Sequence, residues 1–141
     1  MKVLLSIKPE FAERIFDGTK RYEFRKAVYA NRAVQTVVVY VTQPVGRIVG
    51  EFDVDGIVEA APECLWAETH AHAGVTRDFF DAYFEGRDRA FAIQVGEVRL
   101  YDAPLVPGDV IANFTAPQSY MYVDDRLSRP APEARQLALL K

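Results

Sequence analysis

The sequence predicts a single α+β domain in which two or three short helices flank a strongly bent mixed sheet or small β-barrel. Two observations predict this class. Short segments with the apolar or alternating pattern of strands recur through residues 1–125, whereas helical spacing occurs only in brief stretches. Two glycines, Gly50 and Gly56, also interrupt one strand segment, and glycines inside strands often mark the bulges that let a small sheet bend.

The N-terminal region predicts a strand followed by a helix. Lys2 to Ile7 has the composition of a strand, and Pro9 then suits the first turn of a helix, where its missing N–H costs nothing. Apolar residues follow at helical spacing, and Asp17-Gly18 supplies the stop. Lys8 would place a cation beside the exposed N–H groups of the helix start, which is a reasonable anion site. A solvated lysine before a plain proline start is an equally good explanation.

The segment from Thr19 to Lys26 alternates between two kinds of side chain, which predicts a half-buried strand. Tyr22 and Phe24 fall on the face expected to be core. The other, outward face carries three ionic residues, Arg21, Glu23 and Arg25. Arginine forks suit phosphate or a base edge, and a neighbouring carboxylate can accept from a base amino group. From the pattern alone, a strand whose Glu23 is simply neutralised by its arginines is the better explanation.

The middle of the chain predicts two further strands. Val34 to Val41 is apolar on both faces, which indicates a central, buried strand, and Gly46 to Ala60 is the next strand region. A polar helix or loop follows, holding Cys64, His70 and His72. Their spacing matches none of the usual zinc signatures, so neither a metal site nor a cofactor is predicted.

The C-terminal half predicts a helix and two more strands. Thr76 is the expected N-cap before four aromatic residues at helical spacing, and Gly86 ends that helix. Strand patterning returns from Arg89 to Tyr101, and turn residues surround Pro107. The last strand is expected from Pro117 to Val123.

Composition and charge narrow the class of protein. The domain would span residues 1–125, and residues 126–141 would form a linker and short tail. No apolar run approaches the roughly 20 residues needed to cross a bilayer, and a lone Cys64 cannot form an internal disulfide, so a cytoplasmic protein without a membrane partner is expected. The net charge of −3 argues against affinity that comes mainly from phosphate neutralisation, although residues 1–32 alone carry +4.

Two segments resemble the ASCH domain family. Leu5 to Lys26 is similar to the family's opening pattern of strand, Lys-Pro helix start, helix, Gly, then Lys-x-x-Glu-x-Arg on a strand. Pro117 to Tyr122 is similar to the Pro-Gln-Ser-aromatic strand that closes the domain in one branch of the family. Between them, Val45 to Phe52 resembles the family's Gly-bearing strand and Phe79 to Gly86 its aromatic helix, so the resemblance covers about residues 3–123.

The resemblance implies a PUA-like β-barrel with a ligand cleft between the first helix, the Lys-x-x-Glu-x-Arg strand and the closing strand. It also implies RNA, single-stranded nucleic acid or a nucleotide as the partner. With the resemblance, Lys20, Glu23 and Arg25 are better explained as ligand-binding residues than as an ordinary ionic strand face. The candidate ligand-binding residues are Lys8, Lys20, Arg21, Glu23, Arg25, Lys26, Gln118, Ser119 and Tyr120.

Residues of the closing strand would contribute polar and aromatic contacts. Gln118 and Ser119 could read base edges or sugar hydroxyls, and Tyr120 or Tyr122 could stack on a base. Strict alternation places both tyrosines on the face of Gln118, so either they or Ser119 must point inward, and the sequence leaves this open. A pocket for one or two nucleotides fits the charge balance better than a surface for a duplex.

A hydrolase acting on a modified nucleoside or RNA is the alternative function. Some small ASCH proteins are amidohydrolases that use a Lys, a nearby Thr and a more distant Glu, and nuclease activity is also ascribed to the family. Here the Lys corresponds to Lys20, but Glu23 stands where the Thr would fall, and residues 71–74 offer no carboxylate. Thr19 could replace the Thr only from a different place on the strand.

No catalytic residue is therefore assigned, and a binding domain is the leading hypothesis. If the protein is an enzyme, Lys20 and Glu23 are the expected acid/base pair. A domain that recruits a protein partner is the third possibility, and the oligomeric state is left open.

Overall fold

The computed structural model describes residues 1–128, which form one six-stranded mixed sheet flanked by short helices. The strands are β1 (Lys2–Ile7), β2 (Tyr22–Arg25), β3 (Thr36–Val41), β4 (Arg47–Ala60), β5 (Ala90–Leu105) and β6 (Tyr120–Val123). The α-helices are α1 (Pro9–Asp17), α2 (Pro62–Thr69), α3 (Arg77–Tyr83) and α4 (Pro107–Val110). Two 3-10 turns span His70–His72 and Asp125–Ser128. Within residues 1–128, no helix has the length and apolar character needed to span a bilayer.

The strands lie in the order β2-β5-β4-β3-β1-β6. β1 runs parallel to β3, and the other neighbouring pairs are antiparallel. The two edge strands, β2 and β6, do not pair with each other in this part of the chain, so the sheet is open and the expected barrel is not confirmed. The predicted α+β class with a mixed sheet and short helices is present.

The longest strands bend where the glycines predicted bulges. The register between β4 and β5 shifts just before Gly50, between Phe52 and Val54, and again just before Gly56. A Cβ at Gly50 would lie 2.5 Å from the carbonyl oxygen of Arg99 and 2.8 Å from the ring of Phe16, so only glycine lets β5 and α1 approach so closely. The bulges allow the sheet to curl around one core.

Three apolar clusters cover the two faces of this sheet. The largest lies under α1 and includes Ile15, Tyr29 and Phe52. A second lies on the other face around Leu4 and Tyr40. β3 contributes to both clusters and is buried over nearly its whole length, which confirms the predicted central strand.

The third cluster joins α2 and α3 to β2 and the start of β5. Phe24, Leu65, Phe80 and Phe84 are its large members. The helix start at Thr76 is confirmed, because its side chain accepts a hydrogen bond from the N–H of Phe79 at 3.1 Å. This cluster fixes α3 beside β2 and thereby sets one side of the cleft described below.

The structure differs from the sequence prediction mainly at element ends. β2 begins at Tyr22 rather than Thr19, and β5 continues to Leu105 rather than Tyr101. The segment after β4 is a regular helix, and the turn at Pro107 holds a short one. Residues 126–128 belong to the second 3-10 turn, with Leu127 buried in the second cluster, while residues 129–141 of the predicted tail lie outside the described residues.

Candidate functional site

A cleft of about 220 Å³ opens between α1, α3, β2, the end of β1 and the segment before β6. It lies on the open side of the sheet, between the edge strand β2 and the end of β1, which do not pair with each other in the described residues. Its polar side is formed by Ser6, Lys20, Glu23, Arg25 and Gln118. The helices contribute an aromatic side, so the cleft offers flat apolar surfaces next to charged groups.

Lys20 lies at the base of this cleft with only 1% of its surface exposed. Its ammonium donates to the carbonyl oxygens of Tyr22 at 2.5 Å and Ala73 at 3.1 Å. The loop before α3 covers its aliphatic stem at Gly74, whose φ is +69° and where an added Cβ would lie 2.4 Å from the Cβ of Lys20. A glycine with positive φ therefore allows the loop to close over the lysine.

The environment of Lys20 lowers its pKa from 10.5 to about 8. Burial is the main cause because it disfavours the charged amine, and the positive charges of Arg25 and Arg14 act in the same direction. The Glu23 carboxylate opposes them, with its Oε1 atom 3.8 Å from the Lys20 Nζ atom. At neutral pH the lysine is thus mostly charged but keeps a sizeable neutral fraction.

Glu23 and Arg25 form a buried ion pair beside Lys20. Glu23 is 5% exposed and Arg25 9% exposed, and both Nε and Nη2 of the arginine donate to Oε2 of the glutamate, at 3.1 and 2.8 Å. The same guanidinium donates to the carbonyl oxygens of Ser6 at 2.8 Å and Ser119 at 3.2 Å. Arg25 therefore bridges the open side of the sheet from β2 to β1 and the segment before β6.

The predicted outward ionic face of β2 is consequently wrong for Glu23 and Arg25. The bending of the sheet brings that face against the end of β1 and the segment before β6, so both residues are enclosed. Arg21 behaves differently. Its guanidinium donates to the carbonyl of Val95 at 2.7 Å, which holds the start of β2 to β5, and it does not line the cleft.

The other two candidate lysines, Lys8 and Lys26, are exposed. Lys8 lines the cleft with its Nζ atom 5.7 Å from the ring centre of Phe79. Lys26 follows directly after Arg25, and its Nζ atom lies 4.9 Å from the ring centre of Tyr83.

Only part of the predicted closing-strand set meets the cleft. Gln118 lines it, and Ser119 contributes the carbonyl that Arg25 bonds. Tyr120 instead packs against Tyr29 at the main core, with ring centres 6.1 Å apart. The hydroxyl of Tyr122 accepts a hydrogen bond from the N–H of Asn31, and neither tyrosine lines the cleft.

Sequence reasoning missed the aromatic side of the cleft. Phe11 of α1 and Phe79 and Tyr83 of α3 line it, and Phe11 meets Phe79 edge-on with ring centres 5.0 Å apart. The available signal was the number of aromatic residues on α3. A short helix that buries Phe80, and Phe84 at its C-cap, has a second aromatic pair left for another surface.

Thr19, the possible replacement for the missing threonine, lies outside the cleft. Its hydroxyl donates to the Asp17 carboxylate at 2.7 Å, closing the turn after α1. Among the residues that the structure describes, no group of three or more His, Cys, Asp or Glu side chains converges to hold a metal. Cys64 is exposed on α2.

Comparison with known proteins places this site in a family. The sequence model of the ASCH domain matches residues 5–99, which include the second half of β1, all of β2 to β4 and most of β5. The chain belongs to the ASCH domain family. The match covers the polar side of the cleft except for Gln118.

Individual relatives differ in how much of their length this ASCH domain spans. It is 31% identical over 103 residues to the large ribosomal subunit protein uL22 of Ureaplasma parvum, covering 72% of this chain but only a third (33%) of that protein. It is 27% identical over 128 residues to an ASCH domain-containing ribonuclease of Zymomonas mobilis, covering 86% of this chain and 84% of the relative.

Solved structures from Zymomonas mobilis have a similar fold. The crystal structure of ASCH from Zymomonas mobilis superposes with a TM-score of 0.80 at 27% identity, covering 99% of this chain and 94% of the other. A variant of the same Zymomonas protein gives a TM-score of 0.82 at 25% identity, covering 95% of that chain. The ASCH domain described here therefore shares its fold over nearly the whole length of these structures.

Proposed function

We propose that this ASCH domain binds RNA or a nucleotide in the cleft between α1, β2 and the segment before β6. The observation that carries the proposal is the buried Lys20–Glu23–Arg25 cluster at the base of the cleft. Enclosing three charged side chains costs several kcal/mol unless their hydrogen bonds are completed, so a fold gains little stability from them. Such a cluster is better explained by a ligand that uses it.

Two groups in the cluster keep bonding capacity for a ligand. Within residues 1–128, the Lys20 ammonium spends two of its three N–H groups on carbonyls, and Oε1 of Glu23 is 3.8 Å from it, beyond hydrogen-bonding distance. A donor next to an acceptor matches the edge of a nucleobase, where a carbonyl oxygen or ring nitrogen adjoins an N–H group. Arg25 holds the carboxylate in this orientation through its two hydrogen bonds.

The size and charge of the cleft favour one nucleotide unit over a duplex. Its volume of about 220 Å³ is smaller than the roughly 300 Å³ at which pockets for drug-sized ligands begin. The excess of positive charge lies at the N-terminal end, where residues 1–32 carry +4 in a chain whose net charge is −3. A ligand with few phosphates at the cleft fits that balance.

Hydrolysis of RNA is the second candidate function. It is favoured by the similarity to a protein named as an ASCH domain-containing ribonuclease, of which this chain covers 84%. With a pKa of about 8, about a tenth of Lys20 is neutral at pH 7 and able to accept a proton. It would take the proton of a ribose 2′-hydroxyl as that oxygen attacks the adjacent phosphorus. The bond to the 5′-oxygen then breaks, and that oxygen takes a proton from water.

A binding and turnover experiment tests both functions together. Purified protein is titrated into fluorescein-labelled single-stranded RNA and DNA and into nucleosides that include modified ones, and each mixture is also separated by chromatography to detect products. Lys20→Met and Glu23→Gln should each weaken RNA binding at least about tenfold, because each removes a group that faces the ligand.

The matched control is Arg126→Met, which removes one positive charge from an exposed surface pair with Asp124. It should bind as the unaltered protein does. Equal binding by all three variants would refute the proposed cleft, whereas RNA products that vanish in Lys20→Met would identify the hydrolase.

A further inference from the structure

We infer that Phe79 and Tyr83 form a stacking surface for RNA bases and that the site takes a segment of single-stranded RNA rather than a free nucleoside. The inference rests on the function proposed above and extends it to a new pair of residues and a narrower class of ligand. Three observations carry it: the orientation of the two rings, their exposure, and the two cations that lie over them.

The rings of Phe79 and Tyr83 lie nearly parallel on one face of α3. Their planes differ by 10° and their centres are 6.0 Å apart, as expected for residues four positions apart on a helix. Phe11 meets Phe79 edge-on and supports it from α1. Two aligned rings with a fixed neighbour give a flat surface that a planar base can contact without rearrangement.

These two rings are less buried than their neighbours, and Tyr83 packs only at the edge of the third cluster. Phe80 and Phe84, on the same helix, are 1% and 2% exposed and belong to the cluster that joins α3 to β2. Phe79 and Tyr83 are only half-buried, and both line the cleft. Aromatic side chains directed into a cleft next to polar groups that can bond a base edge are the arrangement used to bind unpaired bases.

A cation lies over each ring. The Nζ atom of Lys8 is 5.7 Å from the centre of the Phe79 ring, and that of Lys26 is 4.9 Å from the centre of the Tyr83 ring. Both lysines are exposed, and in the described part of the chain neither forms an ion pair with an acidic side chain. Each is therefore available to a phosphate.

The rings and the lysines together match the chemistry of a single strand. A base inserted between the aromatic side and Glu23 has a phosphate on its 5′ and its 3′ side, and Lys8 and Lys26 flank the rings on which it would stack. A nucleoside offers the base but not the phosphates. A duplex keeps its bases paired and stacked, so it cannot place one in a cleft of this size without opening.

The test measures the affinity of the full chain for fluorescein-labelled uridine, adenosine and cytidine oligoribonucleotides of about ten nucleotides. Phe79→Leu and Tyr83→Leu keep an apolar side chain but remove the ring. Each should weaken binding about 5- to 150-fold, the range produced by the loss of one stacked base. The matched control is Tyr122→Leu, which removes an aromatic ring that does not line the cleft and should change affinity less than about twofold. Thermal unfolding establishes that each variant is folded.

Two further measurements leave both rings unaltered. The labelled single strands should bind at least about tenfold more tightly than the corresponding nucleosides or a duplex of the same sequence. In a salt titration, Lys8→Gln and Lys26→Gln should each reduce the slope of log affinity against log salt by about 0.7, the value expected for one phosphate contact to a single strand.

Failure of the inference can be distinguished from failure of the proposed function. If Lys20→Met and Glu23→Gln lose RNA binding but Phe79→Leu and Tyr83→Leu keep it within about twofold, the stacking surface is refuted and the cleft stands. If nucleosides bind as tightly as the oligonucleotides, the single-strand ligand is refuted. If all these variants bind as the unaltered protein does, the cleft itself is refuted, and the inference with it.

Discussion

Raising the pH from 7 to 9 should weaken RNA binding about tenfold, because the change deprotonates Lys20. The lysine is buried at the base of the cleft, and its pKa is lowered to about 8. Its protonated fraction therefore falls from about nine tenths at pH 7 to about one tenth at pH 9. A ligand that needs the ammonium loses about tenfold in affinity, which corresponds to about 1.4 kcal/mol.

Fluorescence anisotropy with a labelled uridine oligonucleotide at constant ionic strength measures this change. Lys20→Met is the control, since any remaining pH dependence in that variant comes from the RNA or from other groups. The difference between the two proteins should have its midpoint near pH 8. An unaltered protein whose affinity is constant from pH 7 to 9 would show that the ammonium does not contact the ligand.

Hydrolysis of RNA, the second candidate function, should increase with pH over the range in which binding weakens. The neutral amine is the base there, so the cleavage rate should rise about tenfold from pH 7 to 9 and then level off. Measuring affinity and cleavage on the same samples separates the two functions. A rise in cleavage that persists in Lys20→Met would instead indicate ordinary base hydrolysis of the RNA.

The same pKa also predicts how stability depends on pH. The pKa of Lys20 is about 8 in the folded protein and near its ordinary value of 10.5 when unfolded, so between these values the unfolded chain binds more protons. The free energy of unfolding should therefore rise with pH across that range, by an amount on the order of 3 kcal/mol from this residue. Urea unfolding at pH 8 and pH 10 should show the rise in the unaltered protein and not in Lys20→Met.

Four substitutions test packing and hydrogen bonding by urea unfolding. Gly74→Ala should lower the free energy of unfolding by about 2 kcal/mol or more, because it combines backbone strain at φ +69° with overlap on the Lys20 side chain. Gly86→Ala is the control: its φ is +76° but the space around it is open, so the loss should be about 1 kcal/mol. Equal losses in the two variants would contradict the overlap. Arg25→Met should cost about 3 kcal/mol, because it leaves a buried carboxylate without its donors, and a loss below about 1 kcal/mol would show that the pair is dispensable. Tyr29→Phe should raise stability by about 1 kcal/mol, since its buried hydroxyl has no hydrogen-bond partner within residues 1–128; a loss would indicate that the hydroxyl is paired.

Local sequence signals were sufficient for most of the fold. Pro9, Gly18 and Thr76 mark helix ends through effects confined to a few residues, and the structure places the helices accordingly. Gly50 and Gly56 likewise mark real shifts in strand register. Whether the sheet closes depends instead on pairing between its first and last strands in the spatial order, which are far apart in sequence, so local patterning could not decide it.

The site was predictable only in part, for the same reason. Alternation assigned Glu23 and Arg25 to an exposed face because a strand pattern cannot show that the sheet will curl over it. Lys20 lies before β2 begins, and its burial depends on the loop at Gly74, more than fifty positions along the chain. The aromatic side was missed because helical spacing does not say which of two neighbouring pairs, Phe79/Tyr83 or Phe80/Phe84, faces the core.

The open side of the sheet explains why the cluster lies where it does. β6 begins at Tyr120, opposite Leu5, so at Ser6 the pairing between β1 and β6 has ended. The carbonyl of Ser6 accepts a hydrogen bond from the Arg25 guanidinium, which also satisfies the carbonyl of Ser119. A strand paired directly across this gap would satisfy such carbonyls with backbone N–H groups but would leave no room for a cleft. The side-chain bridge keeps the edges apart and fixes the Glu23 carboxylate beside Lys20, so one arginine maintains both the gap and the charged surface that faces it.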